Sequence, residues 1–194
     1  MALQISETMI TEEDYLKGEL ESEIKHEYID GRVYAMGGAK KQHNRLTATM
    51  GGEIRNHLKG KPCDSYQSDF KVRVGTKYFY PDVVVECDSE YNNEDYTEHP
   101  IIIVEVTSES TEKFDHTYKL DVYKTIPSLQ EYVILEQYKA RVDVYQRDGM
   151  FWNLHTYKLG DTITFESIGF TIAVEEIYDR VDNNDMQEYM RKKR

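Results

Sequence analysis

Apolar side chains recur at every fourth position in the first third of the chain. The residues at this spacing are Leu46, Met50, Ile54 and Leu58. The spacing predicts an amphipathic helix over 42–58 with one buried stripe. Gly51 and Gly52 lie inside this helix, and a glycine in a helix costs about 1 kcal/mol relative to alanine. We therefore expect another element to pack closely against that part of the helix, and a break in the helix is the alternative.

Cap and turn signals precede this segment. Thr11 followed by Asp14 resembles a capping box, so a short helix is expected to begin at residue 11. In KHEYIDGRVYAM (25–36), the pair Asp30-Gly31 has the composition of a two-residue turn, which predicts a β-hairpin.

After residue 63 the apolar period changes to two, which indicates strands. We predict three of them, over 70–74, 77–86 and 101–106. Lys71 and Arg73 alternate with apolar residues in the first, so one face of that strand is expected to be exposed. The third, IIIVEV, is apolar on both faces, as is typical of a central strand. The polar segment 87–99 is expected to be a mobile surface loop.

The second half of the chain predicts another helix and an antiparallel extension. A helix capped by Ser110 or Thr111 should end at Pro127. Its buried face is predicted from three apolar residues, Tyr118, Val122 and Ile126. The later elements are a strand over 131–136, a hairpin over 142–157 turning at Asp148-Gly149, edge strands at 163–165 and 170–172, and a helix over 173–181. The order indicates a mixed α/β sandwich in one domain, 1–181, followed by a polar, frayed tail, 182–194.

Composition is that of a folded, acidic protein. The 194 residues are 39% hydrophobic and 31% charged, with a formal net charge of −12. This balance argues against a protein that coats polyanions generally. Residues 40–77, however, hold nine basic and three acidic side chains. Such a block can attract phosphate groups within about 10 Å, and an ordinary solvated surface is the alternative interpretation.

The sequence lacks most of the features that would direct the protein to a membrane or out of the cell. No apolar run approaches the length of a membrane span, and the N-terminus lacks the order of a signal peptide, so we expect a cytoplasmic protein with no membrane partner. Cys63 and Cys87 are too few for a disulfide scaffold, and they are expected to be reduced. The six histidines show no His-x₃-His pair, so zinc is not expected.

A carboxylate inside the most apolar strand is the clearest sign of chemistry. Glu105 lies within IIIVEV, where an unpartnered ionised acid costs several kcal/mol, so it needs a cation, a metal or a proton. Asp82 follows Pro81 and opens the valine run of the preceding strand. If the two strands are neighbours, the carboxylates converge. Together with the backbone carbonyl of Val106 they suit Mg²⁺ (or Mn²⁺), which prefers oxygen ligands.

A lysine on the following helix is the third candidate. Asp115, Lys119 and Tyr123 lie at i, i+4 and i+8 on one helix face. In one interpretation Asp115 and Lys119 form a surface ion pair worth about 0.3–0.5 kcal/mol. In the other, Lys119 orients or deprotonates a metal-activated water and stabilises charge on the attacked phosphate.

Several short sequence features follow one another in a specific order. They are HEYIDG (26–31), a helix opening with His43, YPDVVVE (80–86), IVEVTSEST (103–111), the set Asp115, Lys119 and Tyr123, and SLQEYVILE (128–136). In this order they resemble the Uma-two family of the PD-(D/E)xK, restriction-endonuclease-like superfamily, over residues 8–181. The resemblance implies a restriction-endonuclease-like core, with a mixed central sheet flanked by helices and added antiparallel strands.

The resemblance also implies roles for individual residues. By position, Asp82 is the aspartate of the PD half-motif and Glu105 the acid of the second half-motif, both as metal ligands. Thr107 stands where the (D/E)xK signature has lysine. The family is similar to variants in which that lysine has moved to the next helix, which here is Lys119.

Further residues are second candidates. Glu27 matches the family's acidic residue on the N-terminal hairpin, and Glu53 on the 42–58 helix is the alternative. His43 can contact a phosphate or a metal-activated water, although a histidine at a helix start is more often structural. Asp115 and Tyr123 complete this group.

The function implied is that of a metal-dependent endonuclease that hydrolyses nucleic-acid phosphodiester bonds, with DNA as the expected substrate. The alternative is a catalytically inactive binding or assembly module of the same fold, which the acidic balance favours. A homodimer is expected, because the hairpin over 142–157 carries apolar side chains and leaves its outer strand edge free for pairing.

Overall fold

The computed structural model describes residues 9–87, 93–109 and 111–193. Its strands are β1 (His26–Ile29), β2 (Arg32–Ala35), β3 (Asp64–Gln67), β4 (Lys71–Val74), β5 (Lys77–Phe79), β6 (Val83–Glu86), β7 (Tyr96–Thr97), β8 (Ile102–Thr107), β9 (Glu131–Glu136), β10 (Arg141–Asp148), β11 (Phe151–Lys158), β12 (Thr162–Phe165) and β13 (Phe170–Ala173). Its helical segments are α1 (Glu12–Glu21), α2 (Lys41–Leu58), α3 (Glu112–Phe114), a π-helical turn (Asp115–Lys119), α4 (Leu120–Tyr123), α5 (Val174–Ile177) and α6 (Asn184–Lys192).

Two sheets organise these elements. The N-terminal sheet has the strand order β2-β1-β5-β4-β7, and the central sheet has the order β11-β10-β9-β8-β6-β3. Within the central sheet β8 and β9 are parallel, and the other neighbouring strands are antiparallel. A separate pair, β12 and β13, extends the chain beyond the central sheet. The mixed sheet with antiparallel additions confirms the predicted fold class.

Helix α2 packs against one face of the central sheet, as its stripe predicts. Its four stripe residues are buried in one core cluster with the sheet: Leu46, Met50, Ile54 and Leu58. At Gly51 a Cβ atom would meet the side chain of Gln67 at 2.3 Å, whereas at Gly52 it would meet nothing within 4 Å. The expected close approach therefore exists at the first glycine and not at the second.

The predicted strand over 77–86 is wrong as a single element. Residues 77–79 form β5 in the N-terminal sheet, and 83–86 form β6 in the central sheet. Pro81 lies at the crossing point, where a residue without a backbone N–H can stand because no ladder continues through it. Asp82 is consequently held at the junction of the two sheets.

The helix after β8 also differs from its prediction. Tyr118 and Val122 are only partly buried, and Ile126 is buried as expected. The deeply buried positions of this helix include two charged residues, Asp115 and Lys119. The two lie on the π-helical turn, whose i→i+5 bonds rotate the following residues relative to an α-helix.

Other predicted segments are corrected in detail. Lys71 is buried, with its amine 5.2 Å from the ring centre of Tyr80, so β4 has no cleanly exposed face. The segment 87–99, expected to be a mobile loop, contains β7, which pairs with β4. Residues 88–92 of that segment lie outside the described residues, and so does the predicted helix cap Ser110. The hairpin turns at Gly149-Met150, because Asp148 pairs with Phe151.

The C-terminal segments are also different from the prediction. The helix expected over 173–181 is reduced to α5, and the expected frayed tail contains α6. Asn183 caps α6 by accepting a hydrogen bond from the N–H of Met186, whose side chain is buried. Among the described helices, none has the length and apolar character needed to span a bilayer.

The two cysteines are paired, so the expectation of reduced thiols is wrong. Cys63 and Cys87 form a disulfide across the ends of β3 and β6, next to the paired residues Asp64 and Glu86. The disulfide could not be predicted from the sequence, because the two cysteines are 24 residues apart and meet only through the antiparallel alignment of β3 and β6. The bond ties the edge strand β3 to the central sheet.

We predict that reduction of this disulfide destabilises the protein. Closing a loop of this length removes about 3 kcal/mol of conformational entropy from the unfolded chain. Without reductant, the free energy of unfolding of the wild type should exceed that of a Cys63→Ser, Cys87→Ser double variant by about that amount. With reductant present, the two free energies should be equal. Two reactive thiols in the native, unreduced wild type would contradict the pairing.

Candidate functional site

One buried amine is surrounded by carboxylates from three elements. The Nζ atom of Lys119 lies 2.8 Å from Glu27 Oε1, 3.0 Å from Glu105 Oε1 and 3.8 Å from Asp115 Oδ1. Glu27 comes from β1, Glu105 from β8, and Asp115 shares the π-helical turn with the lysine. All four side chains are at most 6% exposed. The interpretation of Asp115 and Lys119 as a surface pair is therefore wrong.

Two buried tyrosines hold this cluster in position through hydrogen bonds from their hydroxyl groups. The hydroxyl of Tyr123, on α4, donates to Glu105 Oε1 at 3.1 Å. The hydroxyl of Tyr132, on β9, donates to the backbone carbonyl of Asp115 at 3.1 Å. Both rings are fully buried, so these hydroxyls would be left without partners if the cluster moved. They hold Glu105 and the π-helical turn in place.

Asp82 is anchored separately, at the end of β8 and the start of α2. Its Oδ2 accepts a hydrogen bond from the backbone N–H of Val106 at 2.7 Å, and its Oδ1 accepts one from the Thr47 hydroxyl at 3.2 Å. The Nε2 atom of His43 lies 3.3 Å from Oδ2. Adjacent antiparallel strands β6 and β8 thus bring the Asp82 and Glu105 segments together, as the sequence predicts.

Burial governs the protonation of this group. Desolvation raises the pKa of Glu105 well above its usual range, and it raises the pKa of Asp115 to about 6, although Lys119 opposes both shifts. Burial alone would lower the pKa of Lys119, but the charges of Glu105, Glu27 and Asp115 raise it well above its ordinary value. Lys119 is therefore positively charged throughout the neutral pH range, whereas Glu105 and Asp115 can bind protons within it.

The pKa of His43 responds to its contact with Asp82. Desolvation alone would lower this pKa, but the hydrogen bond and the negative charge of Asp82 raise it overall. The other ring nitrogen, Nδ1, is buried without a hydrogen-bond partner among the described residues.

A cleft of about 810 Å³ leads to these residues. Of the four clustered carboxylates, Glu27, Asp82, Glu105 and Asp115, Asp82 is the most accessible, with 14% of its side chain exposed, whereas Glu105 is 6% exposed. Lys40 and Tyr138 line the outer part of the same cleft. The arrangement has an acidic floor and a mouth that carries a cation and an aromatic ring.

The donor set suits a hard divalent cation. Asp82 and Glu105 supply carboxylate oxygens. Among the described residues, the buried Glu27 Oε1 has the ion pair with Lys119 at 2.8 Å but no hydrogen bond of regular geometry. Four carboxylates facing one lysine and one histidine leave excess negative charge, which a Mg²⁺ ion would neutralise. The residues present therefore fit the ion that the sequence predicts.

The structure does not assemble the predicted carboxylates as a closed metal shell. Within the described part of the chain, the three side chains whose ligand atoms all lie within 4.8 Å of one another are a different set: His116, Glu136 and Asp143. Arg141 already pairs with both carboxylates of that set, at 3.3 Å and 2.8 Å. Between Glu27 and Glu105 the position is taken by the Lys119 amine.

The two alternative acids are separated by the fold. Glu27 is buried against Lys119, whereas Glu53 is exposed on α2 and does not line the cleft. Thr47, whose hydroxyl donates a hydrogen bond to Asp82, is a site residue that was not predicted from the sequence. A signal for it existed, because Thr47 is a polar residue one turn after His43 on the buried side of α2.

Comparisons with known proteins agree on the family and on the fold. The Uma2 (Uma-two) family model, described as "Putative restriction endonuclease", matches residues 12–175. Two uncharacterized proteins of Synechocystis sp. are similar in sequence. The protein slr1290 is 35% identical over 173 residues, which cover 87% of this chain and 91% of the relative, and sll1609 is 32% identical over 163 residues, which cover 81% and 92%.

A solved structure is similar in fold. It is the crystal structure of "a putative nuclease belonging to DUF820" from Anabaena variabilis, with a TM-score of 0.74 and 16% sequence identity. The match covers 89% of this chain and 99% of that chain. The likeness confirms the predicted restriction-endonuclease-like fold.

We predict that the protein without metal is more stable near pH 5 than near pH 7.5. The Asp115 carboxyl has a pKa of about 6 when folded and 3.8 as its ordinary value, so the folded state binds the proton more tightly between these values. Stability is then lost as pH rises through the folded pKa, and this group accounts for a loss of about 1–1.5 kcal/mol between pH 5 and pH 7.5. His43 acts in the same direction.

Urea unfolding at the two pH values measures this effect. Asp115→Asn should reduce the pH dependence, and Asp121→Asn, at an exposed position of the same helix, should leave it unchanged. Mg²⁺ should raise the melting temperature more at the higher pH, because it competes with protons for the carboxylates. An equal pH dependence in Asp115→Asn and the wild type would refute the assignment.

Proposed function

Because this chain belongs to the Uma2 family, described as "Putative restriction endonuclease", we propose that it is a metal-dependent endonuclease that hydrolyses phosphodiester bonds of nucleic acid, with DNA as substrate. The observation that carries the proposal is the burial of Lys119 against Glu105 and Glu27, beside an anchored Asp82. A buried cation among acids in a cleft is the kind of environment in which catalytic groups are found.

Mg²⁺ or Mn²⁺ would be held by Asp82, Glu105 and the backbone carbonyl of Val106, with Glu27 nearby. When bound, such an ion supplies Lewis-acid polarisation of the phosphate and activation of a water molecule. This assignment is supported by the oxygen-only donor set and by the excess of buried negative charge.

The chain's own residues have separable roles in this proposal. Lys119 donates hydrogen bonds toward the attacking water and the phosphate, since its three N–H groups can be shared between Glu27, Glu105 and a ligand. Tyr123 keeps Glu105 oriented through its 3.1 Å hydrogen bond. His43 lies beside Asp82 at the accessible end of the site and offers a proton donor to a phosphate oxygen.

One observation favours a second candidate function, a non-catalytic binding or assembly module of the same fold. The Lys119 amine is already in contact with three carboxylates, and the closest His, Asp and Glu set of the described residues lies elsewhere. A cluster of this kind also stabilises a fold without performing catalysis. The two functions differ in whether Asp82 is required for cleavage.

The test is cleavage of plasmid and of single-stranded DNA with Mg²⁺ or Mn²⁺. Asp82→Asn should abolish cleavage while folding persists, because it weakens the ion's binding and keeps the hydrogen bonds to Val106 and Thr47 largely possible. Asp121→Asn serves as the control with the same change at an exposed site. Equal cleavage by wild type and Asp82→Asn would indicate contamination and remove the endonuclease proposal.

Lys119 is tested in the same assay. We expect Lys119→Met to lower the rate by a factor of about 10²–10⁴, and Lys119→Arg to restore stability but not the rate, because arginine keeps the charge but its planar guanidinium places its N–H donors differently. Lys119→Met should also lower the free energy of unfolding by about 3–5 kcal/mol, since it leaves buried carboxylates uncompensated. Retention of the full rate in Lys119→Met would exclude a catalytic lysine.

We also propose that the protein is a homodimer that pairs through β11. This strand is at the end of the central sheet, and its exposed apolar side chains include Phe151 and Leu154, at 72% and 50% exposure. An eight-residue edge with apolar side chains is a template for pairing with a second copy.

Light scattering should give twice the chain mass of 22.9 kDa. Leu154→Lys should shift the mass to that of one chain, because a charge on an edge strand opposes pairing. Leu20→Lys, at a leucine on α1 that is 74% exposed, should leave the dimer intact. A monomeric mass for the wild type at every concentration would exclude this dimer.

A further inference from the structure

The mouth of the cleft is formed by two segments that face each other. One is 37–40, between β2 and α2, and the other is 137–138, between β9 and β10. The Nζ atom of Lys40 donates to the Tyr138 hydroxyl at 3.3 Å and lies 5.9 Å from the centre of its ring. Tyr138 is 45% exposed, more than the other tyrosines of the described residues. A cation and an aromatic face are thus presented together at the entrance.

The floor of the cleft is much less accessible than this mouth. The side chains of Glu105 and Lys119 are 6% exposed, and that of Glu27 is 2% exposed. An intact duplex is a stiff rod, whose phosphates cannot bend individually into a narrow recess. An unpaired strand is flexible, and its backbone can enter the cleft while its bases turn toward the walls.

Positive charge around the entrance is sparse. Besides Lys119, the described lining contains the lysines Lys25 and Lys40, and Lys25 is paired with Asp69. With a net charge of −12 on the chain, few phosphate contacts are available to hold a duplex. Affinity must then come from another source, and stacking of a base on an aromatic ring is one that a single strand offers.

Two glycines at the same entrance are not explained by the fold. A Cβ atom at Gly37 or at Gly38 would meet nothing within 4 Å, and neither glycine has a positive φ. Neither packing nor backbone conformation requires glycine there. Glycine at an exposed rim permits a ligand to approach the backbone closely.

We propose that this mouth, defined as Gly37, Gly38, Lys40 and Tyr138, receives an unpaired nucleic-acid strand. A base stacks on Tyr138, Lys40 contacts the adjacent phosphate, and the strand passes over the two glycines toward Asp82. This inference rests on the proposed function, because it takes nucleic acid as the ligand, and it adds the class of substrate: single-stranded or locally unpaired rather than fully duplex.

The test is fluorescence anisotropy with a labelled single-stranded oligonucleotide and a hairpin duplex of the same strand length, at one fixed salt concentration. Ca²⁺ replaces Mg²⁺, so that both probes remain intact during the measurement. We expect the single strand to bind at least about 10-fold more tightly than the duplex. Tyr138→Ala should weaken single-strand binding about 5- to 150-fold, the range that loss of one stacked base gives.

Two control variants make the result specific. Tyr138→Phe keeps the ring and should retain single-strand affinity within about 3-fold, since stacking needs the ring and not the hydroxyl. Tyr189→Ala removes a half-buried aromatic ring on α6 that does not line this cleft, and it should leave affinity unchanged. Tyr138 is exposed, so its variants are expected to fold.

The outcomes separate this inference from the endonuclease proposal. Equal binding of duplex and single strand, or unchanged single-strand binding in Tyr138→Ala, overturns the inference. Neither result bears on the endonuclease proposal, which is tested separately by the cleavage assay with Asp82→Asn. Single-strand binding that depends on Tyr138, in a protein that cleaves no DNA, supports the inference and favours the binding module. Binding of an acidic polypeptide in preference to both probes would also overturn the inference.

Discussion

The burial of the Lys119 amine is the constraint on which the rest of the site depends. An ammonium group without water must be compensated, and here the compensation comes from β1, β8 and the π-helical turn at once. The N-terminal sheet, the central sheet and the following helix are therefore joined by one electrostatic requirement. The hydroxyls of Tyr123 and Tyr132 extend the same network into the core through their hydrogen bonds to Glu105 and to the backbone carbonyl of Asp115.

The change of sheet at Pro81 gives this cluster an accessible side. Because the chain leaves one sheet before Pro81 and enters the other after it, Asp82 is at the junction and stays partly in contact with solvent. Its position is fixed by Val106 and Thr47, from β8 and α2, and not by the buried lysine. The site thus combines a rigid, enclosed half with a half that a ligand can reach.

Sequence reasoning recovered the parts of this arrangement that depend on local pattern. The stripe of α2, the Asp30-Gly31 turn and the buried acid in β8 each follow from periodicity or from a short motif. It failed where distant segments decide the outcome. The split at Pro81 and the Cys63–Cys87 bond both depend on which strands become neighbours. Burial of Lys119 was concealed because an i, i+4 pair has the same spacing on an exposed face and on an enclosed one.

The position of Glu27 on a short hairpin has a consequence for the alignment of β1. Side chains alternate between the two faces of a strand, so a slip of one residue against β2 and β5 would turn Glu27 away from the amine and bring His26 or Tyr28 in its place. Either replacement leaves the lysine short of one counter-charge. The ion cluster therefore fixes the register of β1, a four-residue strand that has few backbone hydrogen bonds of its own to hold it in one alignment.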